Sequence, residues 1–293
     1  MSEYLKGLLL TIIGVLVITP DSLLIRLIDA DSWTVVFWRN GLSGLAILLG
    51  LLLYYRRNFL AKILGIGWAG LIMGVVWALG TLCFVYSIQT TLVANTLFIL
   101  STSPIFAALI AWLVLREAVS RRTWITIAFS LVGIAIIAWG STEDGAKGSL
   151  LGDLAALGTA LAVAISFSIA RHNRSISMIP AIGISSIFAG LIAFPFAAPL
   201  AESADKVMPI LLIGLVVAPI GASLMVIGPR YLPAADVSLL LLLEAVLGPL
   251  WVWWMLKEFP GIYTLVGGAF VLVTLAISNA ILLLRRNVNS VPS

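Results

Sequence analysis

The sequence predicts an all-α polytopic membrane protein: ten transmembrane helices forming two inverted five-helix repeats. Three observations carry that expectation. Hydrophobic residues make up 61% of the 293-residue chain and charged residues only 10%, with a mean hydropathy of +1.15. Apolar runs of about 20 residues, the length a helix needs to span a bilayer, follow one another with short polar breaks. A shift of 141 residues lays the second half of the chain over the first.

An ordinary soluble domain carries roughly a quarter charged residues, and a soluble chain of this length could not cover its surface with so few. Lipid removes that requirement. The net charge of +4 does not point to nucleic acid, because the basic residues sit in short loops and form no stripe that could track phosphates. The single Cys83 lies inside an apolar run, so neither a disulfide framework nor a metal-ligand cluster is expected. His172 is the only histidine, and it falls in a basic loop. No cofactor is expected. Without a nucleophile and base within reach of each other, an enzyme is not expected either.

In order, the runs are 5–27, 32–54, 65–88, 92–115, 122–140, 148–170, 178–199, 207–229, 234–256 and 261–284. The first is long enough to span and has no clear small-residue cleavage site, so it reads as a helix and not as a signal peptide. Arg56-Arg57-Asn58 separates the second run from the third, and Arg121-Arg122 opens the fifth. Glu143-Asp144-Gly145 divides the halves, Arg171-His172-Asn173-Arg174 follows the sixth run, and Glu202 to Lys206 precedes the eighth. Barrel strands would alternate over about ten residues; these runs are longer and apolar all round. The domain boundaries are 1–141 for the first repeat, 142–284 for the second, and 285–293 for a cytoplasmic tail.

Lys and Arg set the orientation, because cytoplasmic loops carry the excess. With the N-terminus inside, twelve fall on the inner side, Arg56, Arg57, Arg171 and Arg174 among them, against four outside: Arg26, Lys147, Lys206 and Lys257. Both termini are therefore expected in the cytoplasm, with the chain in the plasma (inner) membrane. Aromatics near the run ends, such as Trp33, Trp68 and Trp139, suit interfacial belts.

The 141-residue shift aligns Lys6-Gly7 with Lys147-Gly148, Trp112 with Trp253, Arg116-Glu117 with Lys257-Glu258, and Phe129 with Phe270. In so apolar a composition the Trp and charged matches carry the signal. Five helices per half is an odd number, so the second half enters the membrane from the opposite side. Inverted repeats of this kind frame a site near the midplane in many secondary transporters. Duplication without transport is the plainer alternative.

Two stretches then carry a family resemblance. Thr102-Ser103-Pro104-Ile105 through Trp112 to Arg116-Glu117, followed by Trp124 and Gly133, resembles the end of an EamA domain. So does Leu240 to Leu243-Glu244-Ala245-Val246 through Trp253 to Lys257-Glu258, followed by Gly267-Gly268. Pro20-Asp21-Ser22 and Trp38-Arg39-Asn40 are similar to the first and second helices of the same group. The chain thus resembles the EamA branch of the drug/metabolite transporter superfamily over nearly all its length. The resemblance implies a ten-helix fold and secondary transport of small organic solutes. It implies no substrate, since the family spans amino acids, other metabolites and vitamins. Pro104 is matched by Ala245 and Gly133 by Thr274, so the two motifs are unequally kept.

Glu244 is the most informative residue for chemistry. It lies about ten residues into its run, roughly 15 Å deep at 1.5 Å per residue, where an acid is costly and faces a cavity or a partner. Its mate under the shift is Ser103, so Ser101, Thr102 and Ser103 are candidates to face it. Pro104 and Pro249 are read as helix breaks that free backbone carbonyls, and Pro20 as a third break. The site reading is a substrate or coupling-ion position; the plain one is a protonated Glu244 bonded to a neighbouring helix.

Asp21 and Arg39 both fall about 9–10 Å from the outer edge on adjacent antiparallel helices. They are read first as a buried ion pair. Alternatively, Pro20 only kinks the helix and Asp21 caps the segment after it, or Arg39 reaches Glu244 and holds it ionised. Trp77 and Tyr86 could stack on a flat solute or simply pack. Asn95 and Asp236 read as caps of their helices. Glu117 and Glu258 sit at matched helix ends as loop anchors or gates, and Gly70-x-x-x-Gly74 permits close helix approach.

The expected function is alternating-access transport of an amino acid or related metabolite around a midplane site, with proton coupling or movement down the solute's own gradient. Export is slightly preferred on the resemblance alone. Metabolite or vitamin uptake on the same fold is the alternative, and a channel or non-transporting scaffold is the alternative of another class. The expected partners are a small-molecule substrate and the lipid bilayer, with no nucleic acid; a homodimer stays open.

Overall fold

Residues 3–115, 121–143, 149–199, 203–232 and 234–289 are described by a computed structural model of the chain. Among them every regular element is helical. Seven helices are long and apolar enough to cross a membrane: Leu5–Ile28, Ser32–Leu64, Gly67–Thr90, Val93–Ile110, Leu150–His172, Ile179–Phe196 and Ala204–Tyr231. The stretches Trp124–Gly140, Leu243–Leu256 and Ile262–Thr274 are shorter apolar helices.

The first span is broken. Helix α1 (Glu3–Ile18) stops at Thr19-Pro20 and α2 (Asp21–Ile28) restarts behind it. Proline has no N–H to return to the carbonyl four residues back, here that of Leu16. The Thr19 hydroxyl donates to that carbonyl instead, at 2.9 Å. The restart places Asp21 in a first turn, where an acid complements the free N–H groups. Helix α3 (Ser32–Tyr55) is capped by Asp31, whose carboxylate accepts from the N–H groups of Trp33 and Thr34. The short α4 (Phe59–Leu64) leads into α5 (Gly67–Thr90).

A second break separates α6 (Val93–Leu100) from α7 (Ser103–Leu115), two residues before the N–H that Pro104 lacks. Helices α8 (Arg121–Glu143), α9 (Leu150–His172) and α10 (Ile179–Ala193) come next. Between α11 (Val207–Leu212) and α12 (Ala218–Tyr231) the chain winds as a π-helix over Ile213–Val217. Pro219 cannot return an N–H to Leu215, and the wider turn absorbs the mismatch. Helix α13 (Ala234–Leu256) runs unbroken through Pro249, which corrects the expectation of a break there. One N–H is missing, and the turns on either side carry the helix across. Helix α14 (Ile262–Asn289) continues into the segment read as a tail from 285.

The most extensive helix pairings are α3 with α10, α5 with α9, α8 with α14 and α1 with α12. Small residues set their approach. A methyl group on Gly133 would lie 2.9 Å from the Gly267 carbonyl oxygen, and one on Gly267 2.6 Å from that of Gly133. In α3 and α10, Gly44 meets the backbone of Ile187 while Gly190 meets that of Gly41. Position numbers rise along one helix as they fall along the other, so both pairs are antiparallel.

Large apolar side chains stand exposed along these helices, among them Leu53, Leu71, Val75, Leu131, Trp139, Leu154 and Leu191. A soluble monomer rarely shows so continuous an apolar surface. Lipid covers it at no cost, and the chain is an integral membrane protein. The buried side is tied by one main cluster around Val15, Ile25, Val35, Val85, Ile88 and Leu97, which joins α1, α2, α3, α5 and α6.

Candidate functional site

The main cluster surrounds a central cavity of about 90 Å³. Each wall comes from one helical face. Helix α5 supplies Trp77, Gly80, Thr81 and Phe84, the i, i+3, i+4, i+7 positions that share a face at 3.6 residues per turn. Helix α3 supplies Arg39, Asn40 and Ser43, and α12 supplies Ala218, Ala222 and Met225. Thr159, Ala162 and Val163 come from α9, Ser186 from α10 and Glu244 from α13, with Ile18, Asp21 and Leu100 completing the lining at the two helix breaks.

Asp21 and Arg39 form the ion pair that their depths in the sequence suggest. Arg39 Nε donates to Asp21 Oδ1 at 3.0 Å and Nη2 to Oδ2 at 2.9 Å, a bidentate pair between almost fully buried groups. The other terminal nitrogen, Nη1, serves Thr81 Oγ1 at 2.9 Å and Asn40 Oδ1 at 3.4 Å. The Thr81 hydroxyl donates on to Asn40 Oδ1 at 3.3 Å. The guanidinium carbon also stands 5.7 Å from the Phe84 ring centre. Arg39 thus binds Asp21 and makes no hydrogen bond to Glu244.

Glu244 lines the cavity and is 8% exposed, with no hydrogen bond to its carboxyl among the described residues. Trp77 lines the cavity, with its ring 6.4 Å from that of Phe167. Three other candidates stand elsewhere. Tyr86 is 40% exposed and outside the lining. Ser101 and Ser103 are buried but also outside it. The Ser101 hydroxyl donates to the Phe98 carbonyl at 2.6 Å and that of Thr102 to the Ile99 carbonyl at 2.7 Å. At the Pro104 break these hydroxyls serve their own helix, and Leu100 is the residue that meets the cavity. Asn40, Ser43, Thr81, Thr159 and Ser186 line the site unforeseen, because single Ser, Thr and Asn residues are common on buried helix faces.

Part of the wall follows the 141-residue relation. Ile18 and Thr159, Asp21 and Ala162, Trp77 and Ala218, Thr81 and Ala222, and Phe84 and Met225 are equivalent pairs, and both members of each line the cavity. The chemistry is unequal within the pairs, since Ala162 stands at the position equivalent to the ionic Asp21 and Ala222 at that equivalent to Thr81. The cavity sits where the two halves meet: the first supplies the Asp21–Arg39 pair with Asn40, Ser43 and Thr81, and the second supplies Glu244, Thr159 and Ser186 among apolar residues.

A second polar cluster closes one end of the helix bundle. Arg26 Nη2 donates to the Thr91 carbonyl at 2.7 Å and pairs with Glu258 at 3.3 Å. Glu258 also accepts from the Val93 N–H at 3.1 Å, capping α6. Asn95, expected as that cap, instead receives the Thr264 hydroxyl at 2.6 Å and donates to Asp153 at 3.4 Å. At the other end Arg171 donates to the carbonyls of Pro229 and Leu232, at 3.1 and 3.3 Å. His172 is exposed in the last turn of α9. Glu117, Lys147 and the side chain of Asp236 lie outside the described residues.

Comparison with known proteins agrees with this architecture. The EamA-like transporter family model matches twice, over residues 5–139 and 150–280. The chain is 27% identical over 138 residues to the uncharacterized transporter YetK of Bacillus subtilis (strain 168), a match covering 45% of this chain and 41% of that one. A solved crystal structure of a protein 15% identical in sequence superposes with a TM-score of 0.68, covering 96% of this chain and 98% of its own. The chain belongs to the EamA-like transporter family, within the drug/metabolite transporter superfamily.

Proposed function

We propose that the chain is a secondary transporter that moves a small organic solute by alternating access, with the central cavity as its binding site. The observation that carries the reading is the cavity itself. It lies between the halves, is walled in part by repeat-equivalent positions, and contains an acid, Glu244, without a hydrogen-bond partner among the described residues. A site shared by two similar units can be exposed to either side by rocking one unit on the other.

Ten spans in two inverted five-helix units are the arrangement proposed. Helices α3 and α10 are equivalent under the repeat, as are α8 and α14, and each pair packs antiparallel. A two-fold axis that reverses helix direction lies across the helices, hence in the membrane plane. The Lys and Arg distribution favours both termini in the cytoplasm, and the plasma membrane is the proposed location. Amino acids or related metabolites, moved outward, are the proposed cargo on family grounds. Glu244 is the group for proton coupling, with Asp21 and Arg39 the charged groups that share its cavity.

The test is counterflow in proteoliposomes. Unlabelled solute inside should accelerate entry of labelled solute, and flux should saturate. Linear flux without counterflow would make the protein a channel. No flux across a panel of amino acids, vitamins and nucleosides, from protein that is folded in the vesicle, would leave a scaffold.

A further inference from the structure

The central cavity contains three ionisable side chains, Asp21, Arg39 and Glu244, and the first two pair at contact distance. Arg39 directs Nε and Nη2 at Asp21, and Nη1 at Thr81 and Asn40. A ligand carboxylate would therefore find no free cationic fork, and it would face the surplus acid. Glu244 is the reverse case: it is buried, directed into the cavity and without a hydrogen-bond partner among the described residues. Burying an ionised carboxylate without a partner is costly, and a ligand that brings the donor relieves that cost. A divalent metal ion is a poor candidate for the role. It seeks about six oxygen ligands, and the second carboxylate is already committed to Arg39.

The remaining walls suggest what the donor is attached to. Ile18, Leu100, Val163, Ala218, Ala222 and Met225 are apolar, and Trp77 offers a ring that no cation among the described residues occupies. Arg39 already stands over the other ring, Phe84. From this arrangement we infer that the recognised solute is a protonated amine on an apolar body, its ammonium docked on Glu244 and its body against Trp77, and that a free carboxylate on the solute weakens binding. The inference rests on the transport reading only in taking the cavity as the solute site, and it narrows that reading from amino acids to amines.

Three probes of matched size separate the possibilities: 2-phenylethylamine as cation, phenylalanine as zwitterion and 3-phenylpropionate as anion. Binding is measured by calorimetry on the purified full-length protein at pH 7, and movement by counterflow in proteoliposomes. The expected order is amine first, the zwitterion at least tenfold weaker, and the anion without heat. Glu244→Gln is expected to weaken the amine at least tenfold while keeping the helical circular dichroism of the wild type. Equal or tighter binding of phenylalanine or phenylpropionate overturns the inference, as does no binding of any probe, or undiminished amine binding by folded Glu244→Gln. The probe comparison on wild-type protein stands even where the variant fails to fold. An amine that binds and is not moved sinks the transport reading and leaves recognition standing. Counterflow carried by a carboxylate and refused by the amine does the opposite.

Discussion

Arg26 and Arg171 hold the same backbone position of the two repeats. Arg26 donates to the Thr91 carbonyl and Arg171 to the Leu232 carbonyl, and these two carbonyls are related by the 141-residue shift. Gly152 packs against Thr91 at the start of α9, and Arg171 lies in the last turn of the same helix. The two contacts are thus about one helix length apart, roughly 28 Å at 1.5 Å per residue. Each arginine ties a helix of one half to the loop between two others, one tie at each end of the cavity.

Loss of one tie should loosen its own end alone. Hydrogen bonds to charged groups contribute about 1.5–3 kcal/mol, equivalent to roughly ten- to a hundredfold in a local opening equilibrium. Arg26→Ala is therefore expected to speed amide hydrogen exchange over 91–96, where Val93 also loses an ordered Glu258, and to leave 228–232 unchanged. Arg171→Ala should give the converse. Exchange followed by mass spectrometry checks both, and equal acceleration at the two ends would refute independent closures.

Asp21→Asn and Arg39→Met should each destabilise the protein more than the pair of changes together. Removing one partner leaves a buried charge alone, at about 3–5 kcal/mol, while replacing both can be close to neutral. Thermal unfolding in detergent of the two single variants and the double variant measures the coupling. Additive losses would mean that the pair contributes nothing jointly. Arg39→Met should be the worse single change, because Thr81 and Asn40 lose a donor along with Asp21.

This pair was legible in the sequence because depth can be counted. Two residues a similar number of turns from the same edge of adjacent antiparallel helices must lie at the same level. What counting along the axis does not give is direction around it. Trp77 and Tyr86 are nine residues apart, and at 100° per residue that is half a turn, so when Trp77 faces the cavity Tyr86 faces away. The same gap hid Thr81, one turn from Trp77 and on its face. Ser101 and Thr102 failed as site candidates for a local reason: hydroxyls beside a helix break bond to the nearest carbonyl of their own chain. Pro249 shows that proline inside an apolar helix need not interrupt it when the neighbouring turns are held. The repeat was readable from its Trp and charged matches, whereas the unequal chemistry of the cavity walls needed the faces to be known.

Gly133→Ala and Gly267→Ala should destabilise the α8–α14 contact. The added methyl would come within 2.9 and 2.6 Å of a backbone carbonyl oxygen on the other helix, and backbone cannot turn aside as a side chain can. Overpacking of this kind costs about 1–3 kcal/mol. Gly41→Ala is the control, since a methyl there meets nothing within 4 Å. It should be neutral or gain about 0.5–1 kcal/mol from helix propensity. Unfolding midpoints of the three variants test the contrast, and a Gly41→Ala loss equal to that of Gly133→Ala would show that the close approach is not the cause.

The break at Pro20 makes a sharper test, because one hydrogen bond there replaces another. In the wild type the Leu16 carbonyl takes its donor from the Thr19 hydroxyl at 2.9 Å, since residue 20 has no N–H. Thr19→Val keeps the shape and removes that donor, leaving a part-buried carbonyl at membrane depth short of a partner, at about 1–3 kcal/mol. In a Pro20→Ala background residue 20 regains its N–H, the Leu16 carbonyl no longer depends on Thr19, and the same Thr19→Val change should cost much less. Straightening the helix also moves Asp21 off the restart that aims it at Arg39, so Pro20→Ala alone should weaken solute binding even where it raises the unfolding midpoint. A double-mutant cycle in unfolding, read beside amine binding, separates the two effects. An equal Thr19→Val cost in both backgrounds would show that the hydroxyl does not substitute for the missing backbone donor.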